Sequence, residues 1–541
     1  MKAKWSVLLL LVSILFLAAC GDEEVTTPSS SSSDFEVTQY NGSTLSIVAG
    51  SENAELEPII EAYAHENKQN ISIEYLGSLD IMRLLQSGEV KYDAVWPASS
   101  IWLTLGDTHR MLNHSQTTSI SPVVFGIKES LAEELGFKDK DVSIADIIEA
   151  IENDQLNFAM TSATQSNSGA SAYIGFLTAI AGKEEGITSE DLADENVREQ
   201  ITTLLSGVNR SSGSSNWLVD LFLAGDYDAM VNYETLIIQT NIELEKQNEE
   251  PLYMVYPVDG LSISDSPLAY VDHNDDEMEE AFLSFQTYLL SDEAQNEIEK
   301  TGKRSAYGTI RPENETVFRS DWGVDIDRVL APIRWPQSDV IMEALNLYQA
   351  EFKKPALTLY VLDFSGSMSG EGYDQMMAAL EEVLIPENAQ ANLLLGTADD
   401  LTYIIPFGNE VLGVESAVGN SNELEALYKK AEGYPLSSST YMYEGIIEAL
   451  TIINQDYYPE GIKDYNPAIV VLTDGMPNGN KVFNDLKEVY NTFGMDVPVF
   501  SIMFGSASDS ELSQIAQLTR ARVFDGRTNL IEAFQQVKGY N

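Results

Sequence analysis

The chain of 541 residues has one cysteine, four histidines and only 31 basic residues against 85 acidic ones. A single cysteine excludes any disulfide within the chain. The histidines, His65, His109, His114 and His273, show no HExxH spacing and none sits beside a nucleophile signature, so zinc-protease and triad chemistry find no support. A Walker-type loop and a GxSxG turn are also lacking. A formal charge of −54 opposes nucleic acid and anionic membrane surfaces as partners. The acids are spread along the chain, as on a heavily solvated surface, and are not gathered in one block. Past residue 20 no apolar run reaches the length that a membrane-spanning helix needs.

What is present starts with a leader. Lys2 and Lys4 precede an apolar stretch over residues 5–17, too short to span a bilayer comfortably, which ends in Leu17-Ala18-Ala19-Cys20. This ending resembles a bacterial lipobox, in which the cysteine becomes the lipid-modified first residue after cleavage. The resemblance makes residues 1–20 a lipoprotein signal peptide and Cys20 a lipidation site. It places the protein outside the cytoplasm, lipid-anchored to a bacterial cell membrane. Residues 21–43 are acidic and Ser-rich, and are expected to form a disordered tether.

The most informative chemistry lies near the C-terminus. Residues 357–362, LTLYVL, read as a short buried strand bounded by Pro355 and Gly366, and Asp363, Ser365 and Ser367 follow at every second position. Oxygen donors at a strand end face the crevice where open α/β sheets bind ligands. A set made only of oxygens suits Mg²⁺, Mn²⁺ or Ca²⁺ and suits zinc or copper poorly. Thr440 precedes apolar positions at helical spacing, Ile446, Ile447, Ala449, Leu450 and Ile453, and Asp474 closes another strand at 468–473.

Together Asp363, Ser365, Ser367, Thr440 and Asp474 resemble the metal-ion-dependent adhesion site of von Willebrand factor A-type domains. That site has a DxSxS run, a separate Thr and a separate Asp, and every one of these positions is filled here. The resemblance covers residues 356–541 and implies a doubly wound, Rossmann-like sheet. Strands are expected at 357–362, 391–397, 402–406, 468–473, 498–504 and 521–524. The resemblance also implies a divalent cation, Mg²⁺ first, that keeps residual positive charge and takes an acidic side chain from a protein partner. Binding rather than catalysis is the expectation, since no partnered general base accompanies the set. A metal-using hydrolase remains as a third class, marked by turnover that is lost on chelation.

Residues 44–350 alternate strands and helices again. Strands are expected at 45–48, 71–75, 92–96, 157–160, 228–231 and 252–256, an extended crossing at 121–127, and a return at 267–271. The segments IVAGSEN, YDAVWPAS, SPVVFGIKESL and MTSATQSNSGASAYIGFL resemble bacterial extracellular solute-binding proteins, whose two α/β lobes close on a ligand. The resemblance implies a cleft lined by Ser51, Glu52, Ser99, Ser121, Thr161, Ser162, Ser166, Asn167, Asn232 and Tyr233. Each of these residues is equally able to cap a helix. The polar run 164–169, ahead of an apolar helix, favours a polar or anionic solute. Two functions follow: a surface lipoprotein that holds protein partners through its A-type domain, or a receptor that feeds a small polar or anionic solute to a membrane importer.

Overall fold

The computed structural model describes residues 35–539, apart from 184, 226, 392–393, 420–421, 475, 504–508 and 528–529. The leader, Cys20 and the first part of the Ser-rich segment lie outside the described residues. No helix among the described residues is long and apolar enough to cross a membrane.

The strands in chain order are β1 (Phe35–Val37), β2 (Thr44–Gly50), β3 (Asn70–Leu76), β4 (Ala94–Trp96), β5 (Leu112–Thr117), β6 (Ser119–Lys128) and β7 (Phe158–Thr161). Then come β8 (Val208–Ser212), β9 (Ala229–Tyr233), β10 (Leu252–Val255), β11 (Ser262–Ser264), β12 (Pro267–Val271) and β13 (Arg304–Ser305). The last six are β14 (Ala356–Asp363), β15 (Leu401–Phe407), β16 (Glu415–Val418), β17 (Asn466–Thr473), β18 (Val499–Met503) and β19 (Val523–Asp525).

They form three sheets. The first lobe has the order β1-β3-β2-β4-β12-β5 and the second has β10-β6-β9-β7-β8, with β11 and β13 also paired to β6. The chain crosses from the first lobe to the second between β5 and β6, and returns between β11 and β12. This is the two-lobed arrangement the strand pattern predicts. The third sheet runs β16-β15-β14-β17-β18-β19, parallel except for β16. Every residue of β14 is buried, as a central parallel strand with both faces covered requires. Tyr360 and Leu362 pack on one face with Met376, Leu380 and Phe534, while Leu359 and Val361 pack on the other with Ile446, Leu450 and Leu486. The period-2 alternation of a strand thus feeds two helical layers, the doubly wound fold.

Three expectations change. The tether does not extend to residue 43, because β1 pairs antiparallel with β3, Phe35 opposite Ile73, and Val37 is buried. The Asn70 side chain fixes the turn that follows, accepting from the Tyr40 N–H at 2.9 Å and donating to the Tyr40 carbonyl at 2.9 Å. No strand forms over the described part of 391–397. A helix, Pro386–Ala391, precedes it, and the N–H groups of Leu394 and Leu395 turn back to the Ala389 carbonyl at 2.7 and 3.1 Å. Those donors are then spent, and β15 takes the place beside β14. The edge strand β16, whose short ESAV sequence carries little apolar signal, is an addition.

The third sheet is tied closely to the second lobe. Helix Ser338–Leu347 and the turn Tyr348–Phe352 lie on that lobe, with the Tyr173 hydroxyl on the Ala344 carbonyl at 2.9 Å and an Arg198–Glu351 ion pair. Residues 353–355 then lead directly into β14. The Arg210 guanidinium donates to the Arg520 carbonyl at 2.9 Å, the Tyr227 hydroxyl donates to Asp496 at 3.0 Å, and Arg522 lies 5.1 Å from the Trp217 ring.

Candidate metal centre and interlobe contact

Asp363 is the last residue of β14 and Thr473 the last of β17, so the pair of parallel strands delivers the DxSxS loop and Asp474 to the same rim of the sheet. There the side chains form one connected chain of oxygens. The Ser365 and Ser367 hydroxyls are 2.9 Å apart, and Ser367 donates to Asp474 Oδ1 at 2.8 Å. The Ser365 N–H donates to Asp363 Oδ1 at 2.8 Å, and the Thr473 hydroxyl to Asp363 Oδ2 at 2.7 Å. Asp363, Ser365, Thr440 and Asp474 are buried, while Ser367 is exposed.

Thr440 reaches this rim by backbone. The Ser437 N–H bonds to the Phe364 carbonyl at 2.7 Å, which sets the 437–440 loop beside the DxSxS loop. The Asn478 side chain then accepts from the Thr440 N–H at 2.8 Å, and the Asn478 N–H donates to the Thr440 carbonyl at 3.0 Å. Among the described residues the Thr440 hydroxyl is not hydrogen-bonded to the other members of the set. Thr473 and Asn478 are positioning residues that no sequence pattern marks, although Thr473 immediately precedes Asp474.

Burial pushes the Asp363 carboxyl above its ordinary value; the Thr473 and Ser365 hydrogen bonds pull it down, and nearby Asp474 raises it again. Two carboxylates held close in a dry setting carry negative charge that a hard cation offsets. Among the described residues no group of three or more His, Cys, Asp or Glu is placed to hold a metal ion. The donor set consists of carboxylate and hydroxyl oxygens only, and fits Mg²⁺, Mn²⁺ or Ca²⁺ in chemistry.

The opposite rim of the sheet meets the second lobe. Asp496 precedes β18, and Arg520 and Arg522 precede β19, so all lie at the strands' N-terminal ends. The oxygen cluster at the C-terminal ends therefore points away from the body.

The residues expected in the cleft sort into two sets. One bridges the lobes: the Trp102 indole donates to Asn167 Oδ1 at 2.6 Å, and Asn167 Nδ2 donates to the Tyr233 hydroxyl at 2.8 Å. Asn216 donates to the Ser51 carbonyl at 3.0 Å, and the Thr235 hydroxyl to Glu55 at 3.2 Å. Within the second lobe, Thr161 and Ser166 join a buried hydroxyl network with Ser168 and Ser215, in which Thr161–Ser168 is 2.8 Å and Ser168–Ser215 is 2.7 Å. The other set serves the backbone or a neighbour. Ser99 caps helix Ser100–Gly106, Ser121 accepts from the Thr235 N–H at 3.5 Å, and Asn232 donates to the Ser215 carbonyl at 2.9 Å. Ser162 pairs with Thr164 at 3.2 Å.

Glu52 stands apart from both sets. It is buried at the end of β2, and burial raises its carboxyl to about 7 although Lys303 nearby pulls it down. Glu55, one turn on, is raised for the same reason. Neither Lys303 nor Glu55 is marked out by any sequence pattern.

Residues 45–304 match the family model described as bacterial extracellular solute-binding protein, and residues 359–536 match that of the von Willebrand factor type A domain. Among curated proteins, inter-alpha-trypsin inhibitor heavy chain H1 of Homo sapiens is 26% identical over 192 residues, 34% of this chain and 20% of that protein. Its counterpart in Mesocricetus auratus is 23% identical over the same shares. The chain thus spans about a fifth of the length of the curated relatives it matches. Among solved structures, the ferric binding protein from Campylobacter jejuni has 14% identity and a TM-score of 0.41, covering 56% of this chain and 98% of that one. The periplasmic binding protein from Actinobacillus pleuropneumoniae solved with fructose-6-phosphate has 13% identity and a TM-score of 0.39, covering 50% and 87%. By the two family matches, a solute-binding-type body precedes a von Willebrand factor A-type domain.

Proposed function

We propose that this chain is an extracytoplasmic, lipid-anchored protein whose A-type domain captures protein partners through a divalent cation, while a solute-binding body carries that domain. A-type domains serve adhesion and protein interaction, which gives the reading its class. The observation that carries it is the hydrogen bond from Ser367 to Asp474, which closes an all-oxygen cluster on the rim facing away from the body. Asp363, Ser365, Ser367, Thr440 and Asp474 would hold the ion, Mg²⁺ first, with Mn²⁺ or Ca²⁺ as alternatives. A bound divalent ion supplies Lewis acidity toward a carboxylate oxygen. Ser365, Ser367 and Thr440 would supply neutral oxygens and Asp363 and Asp474 would act mainly through bound water, so the ion would keep positive charge for an acidic side chain offered by a partner. Thr473 and Asn478 fix the donors in place. The role is binding and not catalysis.

The test is a Mg²⁺ titration of the full-length protein, followed by thermal unfolding, for the wild type and Asp474→Ala. A Mg²⁺-dependent rise in Tm that the substitution abolishes supports the reading. An equal rise in both proteins removes it.

A second reading, a receptor delivering a small polar solute to a membrane importer, is favoured by the interlobe bridge of Trp102, Asn167 and Tyr233. Of these, the Trp102–Asn167 bond joins the two lobes, as in a closed arrangement, and Tyr233 holds Asn167 in place from within the second lobe. Thermal stabilisation by one solute, unaffected by chelator, would favour it over partner capture.

A further inference from the structure

The buried acids near the lobe junction divide into two kinds. Glu234 is bound by Arg304 through two bonds of 2.7 Å and by the Tyr256 hydroxyl. Glu299 is bound by Arg311 and by the Asn314 amide. Each of these has its positive partner and its donors.

Glu52 and Glu55 do not. Glu52 is 6% exposed and its Oε1 has no hydrogen-bond partner; Glu55 Oε1 is buried and equally without one. Glu55 is met by neutral groups alone, the Thr235 hydroxyl at 3.2 Å from its second oxygen and the Gln239 side chain. The positive charge both acids feel is that of Lys303, itself 2% exposed, and among the described residues no ion pair joins it to either carboxylate. Two acids share one ammonium, so they lack a cation of their own and burial holds both carboxyls above their ordinary values. A buried acceptor left unmade is costly, and more so when charged, so an unpartnered pair calls for an explanation.

The position of the pair supplies one. The turn 51–56 follows β2 and touches the second lobe on two sides, through Asn216 on the Ser51 carbonyl and Thr235 on Glu55. The Glu52 charge also reaches Tyr233 of the second lobe. Gly50 makes room for it: a Cβ at that position would meet Glu52 Oε1 at 2.1 Å, so any side chain would displace the carboxylate from the strand end. The hydroxyl network at the start of helix Asn167–Ala181, the natural seat for an anion, is committed to itself through Thr161, Ser166, Ser168 and Ser215.

We infer that the junction between the lobes binds a small organic cation bearing N–H donors, a primary amine, whose ammonium group is held by Glu52 Oε1 and Glu55 Oε1. This rests on the solute-binding reading and reverses the charge that the Ser-rich run 164–169 implies for the solute. Burial lifts both carboxyls because they lack a cation close enough to offset it, and the amine supplies that charge. An anionic solute would offer these two acids no compensating charge.

The experiment uses the full-length protein at constant ionic strength. Ethylamine, ethanolamine and putrescine chlorides are titrated by calorimetry and thermal shift, beside sodium acetate and sodium phosphate, for the wild type, Glu52→Gln and Glu55→Gln. Circular dichroism checks that each variant is folded, and Glu55→Gln, at the less buried site, serves if Glu52→Gln is not. Binding of at least one amine to the wild type, weakened roughly tenfold or more by either substitution, is the expected result. Amine binding that both variants retain, or no amine binding, overturns the assignment. Stabilisation by acetate or phosphate alone overturns it while leaving the solute-binding reading standing. If neither panel shifts the protein, both fall.

Discussion

The hydroxyl of Ser367 and the carboxylate of Asp474, 107 residues apart, meet at 2.8 Å on the rim formed by β14 and β17. Ser367 is the exposed member of the oxygen set and so the one nearest to an incoming partner. Ser367→Ala removes one neutral donor and leaves both carboxylates. The expected outcome is a Mg²⁺ midpoint raised about tenfold, with the Mg²⁺-free Tm nearly unchanged. Calorimetric titration with Mg²⁺ checks it, and an unaltered midpoint would exclude Ser367 from the site.

The contact between the A-type domain and the second lobe should weaken in acid. Burial raises the Asp496 carboxyl, but Arg210 and Arg520 outweigh it and hold the group below its ordinary value. A carboxyl depressed in the folded state contributes stability at pH above its ordinary value, and loses it as pH falls through the folded one. Asp496→Asn should therefore be less stable than the wild type at pH 7, and the gap should close below pH about 4. Limited proteolysis across residues 353–355 at both pH values reads the difference. A gap that does not change with pH would contradict it.

Glu234 and Arg304 are both fully buried and joined by paired hydrogen bonds. Removing one partner strands the other's charge. Glu234→Gln should cost about 3–5 kcal/mol, seen as a lower urea midpoint. Replacing both by apolar residues of similar size should recover most of the loss, because the desolvation of two ions disappears with them.

Lys353, 8% exposed, sits where the body passes into β14. Burial lowers its ammonium to about 8 from an ordinary 10.5; Asp400 opposes this and Lys538 adds to it. A lysine depressed in the folded state disfavours folding while it is charged, so stability should rise as pH climbs from about 8 toward 10.5. Lys353→Met should be more stable at pH 7, by on the order of 3 kcal/mol at most, with the advantage fading by pH 10. Urea unfolding of the two proteins across this range gives the comparison. A lead that grows with pH would refute the assignment.

The sheet of the A-type domain was largely legible because its strands are short apolar runs cut off by polar residues, as at 357–362 and 468–473, observed as Ala356–Asp363 and Asn466–Thr473. The run 391–397 misled for a physical reason. Its leucines have strand-like composition, yet Leu394 and Leu395 spend their N–H groups on Ala389. Phe35 and Val37 look like part of a tether in the sequence because a three-residue edge strand carries too few apolar residues to stand out. In the cleft the Ser and Asn residues could be named but not sorted. A hydroxyl that caps a helix, such as Ser99, and one that joins a buried hydroxyl network, such as Ser166, look alike in a sequence.

The sequence by itself determined the two α/β modules, their order, the oxygen-only character of the donor set and the excess of acid, because all of these follow from local periodicity, spacing and composition. Only the tertiary structure decided which rim of the sheet carries those donors, that Thr473 and Asn478 hold them, and that the A-type domain rests on the second lobe through Arg210, Tyr227 and Asp496. It alone separated the partnered Glu234 from the unpartnered Glu52. Whether a buried charge has a partner depends on distances between residues remote in the chain, and no pattern of neighbours along the sequence encodes them.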